Sequence, residues 1–94
     1  MQPRYKGIQK IDVFEDIPSD PDLPYSYIKF MEDVSYLMKQ RTSLRQGQVM
    51  SNIIERISPD FFSYIVDNNK FDPFYDNKKI PNFIIKCFEF GILK

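Results

Sequence analysis

The 94-residue chain has no histidine, no tryptophan and no alanine, one cysteine, three glycines, and no net charge, with 13 basic and 13 acidic side chains. Each shortage removes a class. Without His, the Ser-His-Asp and Cys-His arrangements and the commonest general base are gone. A lone Cys87 makes no internal disulfide, and one Cys without His makes a structural zinc site improbable. The three glycines, Gly7, Gly47 and Gly91, are scattered and build no phosphate-cradling loop. A charge balance of zero disfavours sequence-independent duplex binding, which needs a basic surplus. The reading is of a non-catalytic protein with no cofactor.

What is present is ordinary globular material, 43% apolar and 28% charged, enough for one core in one small domain. Met1–Lys10 carries Arg4, Lys6 and Lys10 with no apolar run behind it, so no leader is expected. The richest apolar run, Phe83–Leu93, is broken by Lys86 and Glu89 and is too short to span a bilayer. A cytoplasmic location follows as the expectation. Twelve Ile and nine Lys beside no Ala suggest AT-rich coding DNA.

Periodicity predicts an all-α fold: a compact bundle of about four helices (residues 25–94) behind an extended, acidic, Pro-rich arm (residues 1–24). Ile8–Phe14 reads as an extended segment, and residues 17–24, with Pro18, Pro21 and Pro24, as loop. A first helix is capped by Ser26 and runs to about Gln40, with Tyr27, Phe30, Val34 and Leu37 on one stripe and Glu32, Asp33 and Lys39 elsewhere. A second runs from about Leu44 to Ile57 after a Thr42 or Ser43 cap and buries Val49, Met50, Ile53, Ile54 and Ile57. Gly47 costs about 1 kcal/mol against Ala there, which signals a close approach by a neighbour. Ser58-Pro59-Asp60 opens a short third helix burying Phe61, Phe62, Ile65 and Val66. The last helix runs from Ile80-Pro81 to about Phe90, its inner stripe Ile80, Phe83, Ile84, Cys87 and Phe88, with Gly91 as its C-terminal cap.

Four constellations stand out, each with a plain structural reading beside the functional one. Asp12, Glu15, Asp16, Asp20 and Asp22 form an unbroken acidic strip that could dock on a basic partner, or simply be solvated. Arg45, Gln48 and Asn52, extended by Arg41, share a helical face that could hold a nucleotide or phosphate, or form an internal network in which Arg45 pairs with Asp72. Asp72-Pro73-Phe74-Tyr75 could be a stacking platform, or a plug in which both rings enter the core. Ile85, Phe90, Ile92 and Leu93 are left over by the last helix's inner stripe and could form an interface, unless Ile8, Ile11, Val13 and Phe14 cover them. Cys87 lies on an apolar face and reads as an inert core thiol.

The pattern Leu44-Arg45-Gln46-Gly47-Gln48 with Asn52, then Ser58-Pro59-Asp60, then Asp72-Pro73-Phe74-Tyr75 with Ile80-Pro81, resembles a family of small tailed-phage and prophage proteins. The resemblance covers about residues 41–90. It implies a phage origin rather than a mechanism, since the family carries no established activity. The expectation is an accessory protein that binds a host protein, such as a defence or nucleic-acid enzyme, and inhibits or redirects it. Asp12, Glu15, Asp16, Asp20, Asp22, Ile85 and Phe90 would make the contact. Two alternatives are a nucleotide or nucleic-acid binding module built on Arg41, Arg45, Gln48, Asn52 and Tyr75, and a self-associating assembly subunit using Ile85, Phe90 and Leu93.

Overall fold

A computed structural model describes residues 17–18, 21–40, 43–67 and 70–94. The Ile8–Phe14 segment, four of the five strip acids (Asp12, Glu15, Asp16, Asp20) and Arg41 lie outside the described residues. The described chain is all-α, with helices α1 (Tyr27–Gln40), α2 (Gln46–Ile57), α3 (Pro59–Asp67) and α4 (Ile80–Glu89), and a 3-10 turn, Asn77–Lys79, leading into α4.

Ser26 starts α1 as its spacing predicts: its hydroxyl oxygen accepts from the Lys29 amide at 3.2 Å. Phe30, Val34 and Leu37 are buried on the inner face. α2 is the central element, with nine of its twelve residues buried: the expected five apolar side chains and also Gly47, Gln48, Ser51 and Asn52. A helix buried this far round needs neighbours on several sides, and α1, α3 and the loop before α4 supply them. α2 starts two residues later than its pattern suggests. Its N-cap is Arg45 rather than Thr42 or Ser43, with extended backbone (φ −79°, ψ 154°) and no side-chain cap. α3 begins at Pro59, where the missing amide proton costs nothing.

α4 ends in a reversal. Gly91 adopts φ 71°, a region that strains any residue with a Cβ. The Ile92 and Gly91 amides donate to the Cys87 and Phe88 carbonyls at 2.8 and 3.1 Å, a Schellman closure. The turned chain runs parallel to the segment entering α1. Tyr25 N–H donates to Ile92 at 2.8 Å, Lys94 N–H to Tyr25 at 3.0 Å, and Tyr27 N–H to Lys94 at 2.8 Å. Ile92 and Leu93 are therefore buried, a correction to their place in the spare apolar set. Leu93 presents no surface for self-association.

Two further expectations change. Phe88 belongs to the outer rather than the inner face of α4, at 43% exposure, leaving Phe83 and Cys87 fully buried with Ile80 and Ile84 partly so. Asp33 is buried on the inner side of α1, where the Tyr25 hydroxyl donates to it at 2.8 Å and Lys29 Nζ at 2.5 Å. Ile17, from the loop before α1, also enters the core, and its carbonyl accepts from Arg56 Nε at 2.5 Å.

Candidate docking surface

The Asp72–Tyr75 loop meets the start of α2 by backbone rather than by ligand-facing side chains. Arg45 donates through its guanidinium to the Phe74 carbonyl. The Asp72 carboxylate accepts from the Phe74 amide at 3.0 Å, folding the loop into an Asx turn. Asn77 Oδ1 accepts from the Gly47 amide at 3.0 Å. A Cβ on Gly47 would fall inside the contact distance of the Pro73 carbonyl oxygen, so this is the close approach its presence in a helix signals.

These tethers give the two loop rings different burial. Phe74 is fully buried, whereas Tyr75 is 66% exposed and meets Phe74 edge-on at 4.7 Å. The loop is thus neither a two-ring platform nor a two-ring plug. Arg45, on the cap with extended backbone, leaves the helical face it was expected to share with Gln48 and Asn52, and those two amides are buried. The structure brings Arg45 to the Asp72–Tyr75 loop and keeps Gln48 and Asn52 in α2's interior-facing surround.

Cys87 offers no accessible nucleophile. It is fully buried, and desolvation pushes its thiol up to about 12. Burial, and then the hydrogen bond and negative charge of Asp33, raise the Tyr25 phenol well above its ordinary range, so it stays a donor. Among the described residues no group of three or more Cys, Asp and Glu side chains is placed to hold a metal ion. No described helix is long and apolar enough to cross a membrane.

Three of the exposed large apolar side chains lie in the C-terminal half of α4, with Leu23, Ile28, Tyr36 and Tyr75 exposed elsewhere. Ile85 and Phe90 are 53% and 50% exposed, and Phe88 lies between them in sequence. Phe88 leans on Tyr27 of α1 with ring centroids 5.5 Å apart, while Phe90 leans on Phe61 and Tyr64 of α3 at 5.4 and 5.0 Å. Two positions apart at the end of α4, the Phe88 and Phe90 rings point to opposite flanks, and each stays about half in water. Composition singled out Ile85 and Phe90. It missed Phe88, which at 100° per residue lies about 100° round from Cys87, at the edge of the stripe, where its ring meets Tyr27. Asp22, the one strip acid within the described residues, is exposed. No family model, curated protein or solved structure matches the chain.

Proposed function

We propose that this is a phage-encoded accessory protein of the host cytoplasm that docks on a host protein and inhibits or redirects it without catalysis. The observation that carries the reading is the C-terminal half of α4, where Ile85, Phe88 and Phe90 are each half-exposed, Phe88 on the α1 flank and Phe90 on the α3 flank. Apolar side chains left this exposed favour burial against a partner. The acidic strip of Asp12, Glu15, Asp16, Asp20 and Asp22 supplies the second contact, steering the complex toward a basic surface. The phage origin rests on the motif resemblance of residues 41–90.

The test is capture from host lysate on the immobilised full chain, compared across variants. Ile85→Glu adds charge at an exposed site, and a second variant replaces all five strip acids with Ala. A partner retained by the wild type and lost with Ile85→Glu, with unchanged melting curves, supports the docking surface. A partner held equally by both variants, or steady turnover of a substrate by the purified chain, refutes the proposal.

A further inference from the structure

The segment Gly91–Lys94, just after α4, is held from two sides. On one side the Ile92 and Leu93 amides donate to the Cys87 carbonyl at 2.8 and 3.1 Å. On the other its backbone pairs with Tyr25 and Tyr27 through hydrogen bonds of 2.8, 2.8 and 3.0 Å, and the Ile92 and Leu93 side chains are buried. The two halves of this pairing are anchored differently. Tyr25 is fixed to α1 by its hydroxyl, which donates to buried Asp33 at 2.8 Å. Gly91 stands at φ 71°, and among the described residues nothing crowds the place where its Cβ would be. A glycine so placed is the natural pivot. When the pairing parts, Gly91–Lys94 moves and Tyr25 stays on α1.

That motion reaches the exposed rings of α4. Tyr27, whose amide donates to the Lys94 carbonyl, also carries the Phe88 ring at 5.5 Å. Cys87, whose carbonyl accepts both Ile92 and Leu93 amides, is the residue before Phe88. Release of the segment therefore loosens Phe88 at two supports, its brace on Tyr27 and the closure of its own helical turn. Proteins open locally in units of this kind, at lower free energy than global unfolding. We propose that Gly91–Lys94 is a strap, pivoting at Gly91, which opens while α2 stays folded, and that the docking surface is complete only while the strap is closed. The second half rests on reading the exposed rings of α4 as a docking surface. A partner that buries Phe88 in its braced position then selects the closed strap, and its apparent affinity scales with the closed fraction.

Native-state hydrogen exchange, followed by NMR on the purified full chain, tests the strap with no partner present. The amides of Tyr25, Tyr27, Ile92, Leu93 and Lys94 should share one protection factor, at least ~10-fold below those of Ile53 and Ile54 in α2 and nearly flat in low urea. Phe88→Ala lies outside the strap, yet should speed exchange at all five by about 3–10-fold, the worth of one aromatic pair. Ile85→Ala, exposed on the same helix, should leave them unchanged. Five amides that exchange only with global unfolding, as steeply in urea as α2, overturn the proposal. So do five that differ among themselves, a Phe88→Ala protein with wild-type exchange, or an Ile85→Ala protein that exchanges as fast as Phe88→Ala. The docking reading fails separately, in capture from lysate.

Discussion

Replacing Gly47 by Ala sets helix propensity against packing, and the two give opposite signs. In an open helix the change gains about 1 kcal/mol, because glycine has more backbone freedom to lose on folding. Here the new methyl would collide with the Pro73 carbonyl oxygen and stand 3.0 Å from both Pro73 Cβ and Asn77 Oδ1. The loop has little room to retreat. Pro73 and Phe74 are buried, Arg45 holds the Phe74 carbonyl, and Asn77 holds the Gly47 amide. Overpacking of this kind costs roughly 1–3 kcal/mol. Pushing Asn77 away loses a further hydrogen bond, worth about 1 kcal/mol. The net expectation is a loss of about 1–3 kcal/mol, or a Tm lower by roughly 5–20 °C for a domain this size. Urea and thermal unfolding followed by circular dichroism measure it, with Ser35→Ala on exposed α1 as a control expected to be neutral or slightly stabilising. A Gly47→Ala protein as stable as the wild type would refute the argument that the loop is clamped against α2.

The Ser51 hydroxyl is fully buried and has no hydrogen-bond partner among the described residues, so Ser51→Ala should raise stability by about 1 kcal/mol, read as a higher urea midpoint; a lower midpoint contradicts this. Phe83→Ala empties a fully buried ring site and should cost about 3–5 kcal/mol, a large share of the total for a chain this short, leaving a protein partly unfolded at 37 °C by circular dichroism. Tyr25→Phe removes a donor from buried Asp33 and should cost about 1.5–3 kcal/mol, more than Lys29→Met, whose ammonium is half-exposed. Cys87 in the folded state holds its proton from its ordinary 9.0 up to about 12, so the native state binds more protons than the unfolded one in that window. Stability should be level below about pH 9 and fall above it at about 1.4 kcal/mol per pH unit from this group, with Tyr25 adding to the fall at higher pH. Urea midpoints that stay flat from pH 9 to 11 would contradict this.

Local signals located most of the architecture. The stripes of α1 and α2, the Ser58-Pro59-Asp60 start and the Gly91 stop each depend on residues within a turn or two, which sequence displays directly. What sequence hid depends on groups brought together from afar. Asp33 looked like a solvated acid because its phenol partner, Tyr25, lies outside the helix, eight residues earlier, where no helical spacing pairs the two. Ile92 and Leu93 looked spare because their cover is a backbone segment from the other side of the domain. The fate of Phe74 and Tyr75 turned on the distant tether of Arg45 to the Phe74 carbonyl, which seats Phe74 in the interior and leaves Tyr75 edge-on against it in water. For the docking surface, Ile85 and Phe90 were found by subtraction. Phe88 was not, because its spacing counts it on the inner stripe although it lies about 100° round α4 from Cys87.

The parallel bridge between Tyr25 and Leu93 joins positions separated by nearly the entire helical chain. Closing that span carries the largest entropic cost of any described backbone pairing. The expectation is that it zips last in folding, after α2 has met α1 and α3, and opens first in unfolding. Weakening it, as Leu93→Ala would, should speed escape from the native state while hardly slowing its formation. A Leu93→Ala protein that unfolds no faster than the wild type would contradict this order of events.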